Sequence, residues 1–519
     1  MKKLINIKVV LSIMLLFTVS CNKDILNYSD PNSINTSSYF KTPDQIQQAA
    51  IAIYSGFFYD HMFGWRWNEM YDALANELNP QPPARSNEAD VMQFWFYQFN
   101  GNSDCISGYW DLLYRMILRA NLTIDKGNEY ISNNGTNDEV SKAIGDAYFL
   151  RGWAYSQLAF NWGRVPLRTT YNQLGNEDAS RAASVDDVWA VAESDFKQAE
   201  TLLPATWDND NIGRATSGAA AGFLGKLFLY NKKYDSADME FAKMSGYSLL
   251  PGASWNDNFG ETDKNNQETV FAIQFKYVPG TNIAAAAFNE PEGTGNPGRE
   301  NVHPQLFGWN DWNNWTFQAR RVNDFVYMDE GGNPYTDPRA ALTFYGGIGD
   351  NTWCDNCSTG PVPYDFATLG YYYKKTLNKE YKETENGLQS SNNVTLMRYA
   401  DVLLMRAECK IKGSSPDVPA ALGFINQVRS RIGAFSYNNS YSADQAFELL
   451  KRERQIELMG EQARFNDIKR WGILKETMDP ELSAIGASGA LQDKYYMFPI
   501  PQTEIDTNLG FGDISNGWN

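Results

Sequence analysis

One stretch, SGAAAGFLGKLFLYNKKYDSADMEFAKM (residues 217–244), constrains this chain more than any other. Leu224, Gly225, Phe228, Ala237, Phe241 and Met244 recur at the spacing of a helix face, and Asn231, Lys232 and Lys233 interrupt them. The spacing predicts two short amphipathic helices joined by a tight turn. Neither can bury its apolar stripe alone, so the two must pack together. Gly225 and Ala237 let the backbones approach, and Phe241 fills the groove between them.

The pattern returns. Residues 399–433 place Ala407, then Ala421, Ile425 and Val428, at matching offsets around a loop two residues longer. Residues 141–160 carry a stripe of Ala143, Ala147, Leu150, Ala154 and Leu158, and 184–203 offer Val188, Val191, Ala192 and Phe196 as its partner. This is the helix-turn-helix arrangement of tetratricopeptide repeats, here split by long insertions. Further helices are expected over 42–58, capped by Thr42 with Pro43 and Gln45, and over 104–126, with Trp110, Tyr114, Ile117 and Ala120 on one face. The tract 251–394 differs: Gly, Asn, Pro and aromatic residues dominate, and short strands are expected only at 268–275 and 369–375. A loop tract of this length inside a folded chain usually serves a function. The fold class that follows is mostly α: a helix-pair scaffold with a loop-rich, minor-β part. With 519 residues, 43% of them hydrophobic, the chain can bury a large core, and length alone suggests two or three domains. A net charge of −17 argues against nucleic acid and other polyanions as partners.

The N-terminus has the layout of a secretory signal. Lys2, Lys3 and Lys8 precede an apolar run from Val9 to Phe17, and Val19 and Ser20 are small enough for cleavage. The run is shorter than the ~20 residues of a membrane-spanning helix. Cys21 follows at the expected cut, where a bacterial lipoprotein carries its acyl chains. Thr18 stands where such sites usually have Leu, and the alternative is an ordinary signal cut nearby. The resulting organisation is a signal peptide over 1–20, a lipid-anchored polar tether over 21–40 and a folded body over 41–519. Cys354 and Cys357 form a lone CxxC, better suited to a local disulfide than to metal, since no second ligand pair lies near. Cys409 sits among apolar helix positions and reads as a packed thiol. No cofactor or metal is expected.

From residue 393 onward four stretches stand out: LMRYADVLLMRAECKIKG (396–413), AALGFINQVRSRIG (420–433), ERQIELMGEQARFNDIKRWG (453–472) and YYMFPIPQTEIDTNLGF (495–511). Through them the chain resembles the SusD/RagB family of outer-membrane nutrient-binding lipoproteins of Bacteroidetes. Upstream, 109–125, 147–167 and 322–344 agree in order. The resemblance implies one integrated domain of tetratricopeptide-type helix pairs interrupted by a loop-rich ligand-binding part. It also implies a lipid anchor, pairing with a SusC-like TonB-dependent transporter, and capture of oligosaccharide or polysaccharide or, in RagB-like members, of peptides. The charged run 451–470 reads as a helix with i,i+3 pairs, Arg454 with Glu457 and Glu461 with Arg464.

Sugars present flat C–H faces ringed by hydroxyls, so a site for them needs exposed aromatic planes flanked by polar side chains. Two clusters fit. Residues 63–100 hold Trp65, Trp67, Asn68 and Arg85, and residues 306–321 hold Trp309, Trp312 and Trp315 at three-residue spacing amid asparagines. Were the second cluster helical, its three indoles would share a face. Core packing is the competing role for all of them. A glycoside hydrolase would need two carboxylates at a defined separation, which 62 acidic residues neither support nor exclude. No phosphate loop, HExxH or GxSxG motif is present, so a binding protein, not an enzyme, is expected.

Overall fold

The computed structural model describes residues 39–81, 88–171, 179–276, 301, 303–307, 314–345, 352–353, 362–363, 370–375, 390–487, 489–512 and 517–518. Its principal helices are α1 (Pro43–Tyr54), α2 (Trp67–Leu74), α3 (Ala89–Trp95), α4 (Asp104–Asn134), α5 (Asp138–Trp162), α6 (Val185–Leu202), α7 (Ser217–Tyr230), α8 (Tyr234–Lys243), α9 (Tyr399–Lys412), α10 (Val418–Ser430), α11 (Ala443–Glu457), α12 (Ala463–Arg470) and α13 (Leu474–Ala484). The strands are short: β1 (Leu78–Pro80), β2 (Thr269–Ile273), β3 (Trp315–Phe317), β4 (Val326–Met328), β5 (Pro334–Thr336), β6 (Thr352–Trp353), β7 (Val362–Pro363) and β8 (Val394–Arg398). Among the described residues they pair as β1–β3, β2–β8, β4–β5 and β6–β7, all antiparallel. The mostly helical fold class therefore stands.

The helix pairs form where periodicity puts them. α7 and α8 break at Asn231–Lys233, and a Cβ added at Gly225 would lie 2.6 Å from the Phe241 ring, so the glycine is what lets these helices touch. α5 packs on α4 and α6, and α9 packs on α10. Capping boxes start α1 at Thr42 with Gln45, α6 at Ser184 with Asp187, and α11 at Ser442 with Gln445, satisfying amide groups the first turn leaves open. Two boundaries differ from expectation: α1 ends at Tyr54 and passes into a 3₁₀ turn, while α4 continues to Asn134. In 370–375 the chain makes only isolated bridges, Tyr371 to Phe317 and Tyr373 to Phe344, in place of a strand. One apolar core takes side chains from Ile46 through to Phe511, and a smaller one lies among α9, α10 and α11. Cys409 is a buried free thiol, as is Cys105.

Of the i,i+3 ion pairs expected in 451–470, Arg454 with Glu457 and Glu461 with Arg464 do not form, whereas Asp467 and Arg470 make one at 2.8 Å. α11 ends at Glu457, and a turn with left-handed Gly460 and Gln462 reverses the chain before α12, so Glu461 and Arg464 share no helix. Arg454 instead bonds Asp401 at 2.8 Å and Asp467 at 2.7 Å, and Arg464 reaches Glu481 at 2.9 Å. Glu457 is fully buried and meets Arg339 at 3.0 Å, Arg398 at 3.1 Å and also Arg431. Those three cations hold its carboxyl far below the usual range, although burial pushes the other way. Glu268, Glu453 and Asp337 complete the net, which fastens α11 to the loop-rich tract.

Candidate functional site

The two tryptophan-bearing segments, some 235 residues apart in sequence, meet through β1 and β3. Leu78 pairs with Phe317, Asn79 with Thr316 and Pro80 with Trp315. The junction is secured by side chains on both flanks. The Gln81 amide N–H donates to the Asn314 carbonyl at 2.9 Å, and Asn314 Nδ2 donates to Glu88 Oε1 at 2.7 Å. Gln318 donates to the Leu78 carbonyl at 2.9 Å, and Trp95 Nε1 to the same oxygen at 3.0 Å. Gln81 and Glu88 precede and follow residues 82–87 in sequence, and Asn314 follows residues 308–313.

The tryptophans at the junction face inward. Trp315 lies in β3, not on a helix, and is fully buried with its indole N–H donating to Glu69 Oε1 at 2.8 Å. Trp65 is buried with the Arg66 guanidinium 4.7 Å above its ring. Trp67 is buried against Tyr109 and Tyr71, with ring centroids 3.7 and 4.2 Å away. The expectation that Trp65, Trp67 and Trp315 show their rings to solvent is thus corrected. The reason is area: an indole has so much apolar surface that a pocket with one hydrogen-bond acceptor outcompetes water for it. Trp309, Trp312, Arg85, Cys21, Cys354 and Cys357 lie outside the described residues. Asn68 belongs to α2.

Beneath the junction sits an acid-rich layer. Burial raises Glu69 to about 8 despite the opposing charge of Arg66. Burial and the charge of Glu77 drive Asp72 well up, and Glu77 itself rises to about 7, again through burial. Arg66 pairs with Glu88 and, at 3.2 Å, with Asp90. Sequence reasoning missed Glu69, Gln81 and Glu88, because their partners Trp315, Thr316 and Asn314 lie more than 200 residues away and leave no periodic trace. In the sequence Asn314 is only a polar neighbour of the tryptophans. Among the described residues, no group of three or more His, Cys, Asp or Glu side chains could hold a metal ion.

A cavity of about 150 Å³ lies between the loop-rich tract and the helix pairs, lined by Trp67, Trp153, Tyr230, His303, Asn392 and Asn466 among others. A shallower cleft of about 590 Å³ runs between α4 and the short helix Gln502–Thr507.

Comparison with known proteins agrees with this architecture. A family model described as "SusD family" matches residues 309–518, and one described as "Starch-binding associating with outer membrane" matches residues 26–229. A SusD-like protein of Formosa agariphila is 25% identical over 96% of this chain and 96% of its own length. The crystal structure of a SusD superfamily protein from Bacteroides vulgatus superposes with a TM-score of 0.73 at 25% identity, covering 91% of this chain and 98% of that one. The chain belongs to the SusD/RagB family. The fold is shared further by surface glycan-binding protein A of Bacteroides thetaiotaomicron, solved with laminarihexaose: TM-score 0.69, 20% identity, 90% of this chain and 98% of that one. SusD-like proteins form a glycan-binding family associated with the outer membrane. In this member the two family models meet in space where β1 pairs with β3.

Proposed function

We propose that this SusD-like protein is a cell-surface lipoprotein, anchored through acylated Cys21, that captures oligosaccharides and passes them to a SusC-like TonB-dependent transporter. It binds; it does not hydrolyse. The observation that supports the reading is the β1–β3 junction, which brings residues 78–80 of one tryptophan-bearing stretch against residues 315–317 of the other. Those stretches carry Arg85, Trp309 and Trp312, with Asn310, Asp311 and Asn313 between and beside the indoles. Trp315 and Trp65 are packed in the core beside that junction. A junction stiffened by Trp315–Glu69 and Trp95–Leu78 bonds spares the ligand the cost of ordering the platform. The laminarihexaose complex of a fold relative makes laminarin-type glucans the first ligands to try.

Affinity gel electrophoresis against laminarin, starch and other neutral polysaccharides tests the reading. The intact protein should be retarded by at least one of them. Combined Trp309→Ala and Trp312→Ala substitution should abolish retardation without altering the thermal midpoint, whereas undiminished binding rejects the site. Retardation by no polysaccharide, together with binding of an oligopeptide mixture, replaces glycan by peptide as the cargo class. Palmitate labelling that survives Cys21→Ala removes the anchor.

A further inference from the structure

The cavity of about 150 Å³ has polar walls that its neighbours do not satisfy. His303 is nineteen-twentieths buried, and its Nε2 has no hydrogen-bond partner. Burial depresses its pKa to about 3, so the ring is neutral and can offer one acceptor or donor nitrogen. Asn466 donates through Nδ2 to the Gln462 carbonyl, but its Oδ1 is shut off from solvent and unpartnered. A buried polar atom left without a partner costs about 1–3 kcal/mol, so a hydrogen-bonding occupant, ordered water or ligand, is favoured here.

Size and wall chemistry narrow the occupant. A cavity of about 150 Å³ admits a single six-membered ring; with apolar walls it stays dry and takes benzene. Trp67, Trp153, Trp189 and Tyr230 line it with aromatic rings, and His303, Asn466 and Lys226 line it with hydrogen-bonding groups. Of these rings Trp189 and Tyr230, like Phe160 beside them, are only half-buried, so the cavity reaches the surface beside α5, α6 and α7. We propose that this cavity is a subsite for one pyranose ring, separate from the β1–β3 platform and taking a free hexose or the terminal unit of a chain. The inference rests on the glycan reading for its ligand class. Aromatic faces hold the C–H face of the ring, and the imidazole and amide receive its hydroxyls.

Titration calorimetry of the intact protein with glucose, galactose and mannose, and separately with laminarihexaose, tests it. At least one hexose should bind, and His303→Phe and Asn466→Leu should each weaken that binding about tenfold or more, the loss of one buried hydrogen bond. His303→Phe keeps the ring and removes the unpartnered nitrogen, so its thermal midpoint should not fall. Asn466→Leu is the second reporter should the first perturb packing. Laminarihexaose binding without any hexose binding, or hexose binding untouched by both substitutions, overturns the subsite and leaves the platform standing. Failure of every sugar in both measurements defeats the glycan reading itself.

Discussion

The helix pairs and the loop-rich tract are stabilised on different length scales. In α7–α8 the decisive contact, Gly225 against Phe241, spans sixteen residues, and each helix satisfies its own backbone. Between 251 and 394, β4–β5 and β6–β7 pair locally. The pairings that tie the tract to the rest of the chain are remote: β2 with β8, β1 with β3, and Arg339 with Glu453 and Glu457. Local order needs only a stripe and a cap. Remote order needs a buried net of charges, which is costly to assemble and costlier to break, because one lost member strands the others without water.

Glu457→Ala should therefore have the largest effect. Arg339, Arg398 and Arg431 would lose a shared counter-charge in a site from which water is excluded, at a cost of about 3–5 kcal/mol. Urea denaturation gives the size, and native-state hydrogen exchange should show β2 and β8 opening before α7 and α8. A loss below about 1 kcal/mol, or uniform opening of both regions, would break the distinction drawn here.

Glu69 sharpens the same distinction through pH. Its carboxyl stays protonated in the fold up to about pH 8 but ionises near its ordinary 4.5 in the unfolded chain. Between those values the native state holds the extra proton, so stability falls as pH rises through the window and levels off above it. Glu77, raised to about 7, acts in the same direction over a narrower range. Glu69→Gln keeps an acceptor for Trp315 and removes the titration. The loss of stability from pH 5 to pH 8 should shrink by an amount on the order of a few kcal/mol. Equal slopes in the two proteins would show that Glu69 is ionised in the fold.

These two regions also separate what the sequence discloses from what it hides. Helix pairs are legible because a stripe such as Leu224, Phe228 and Phe241 reports burial at a fixed period, and Thr42, Ser184 and Ser442 mark where helices start. Trp315 was misread for the same reason: three-residue spacing suggested a helix face, but the residue is a strand position held by Glu69, 246 places away. The charged run 451–470 misled likewise. Its i,i+3 spacing carries no sign of the turn at Gly460, where a Cβ would meet the Tyr373 hydroxyl at 2.4 Å. Of the candidate site, the sequence identified the segments but not the junction between them. Pairing 235 residues apart leaves no local signature.

The smallest effects come from two glycines on scaffold helices, and their opposite signs make them informative. Gly423 is exposed on α10, and a Cβ there meets nothing within 4 Å. Gly423→Ala should stabilise by up to about 1 kcal/mol, the ordinary helix preference for alanine. Gly225→Ala gains the same preference but drives a methyl to 2.6 Å from the buried Phe241 ring, which must shift to admit it. Overpacking of that kind costs about 1–3 kcal/mol, so the sum should be a net loss near 1 kcal/mol. Phe241→Leu in the Gly225→Ala background should recover part of that loss, because the clash lies with the ring and not with the backbone. If Gly225→Ala instead stabilises as Gly423→Ala does, α8 can slide away from α7, and close approach is not what specifies the pair.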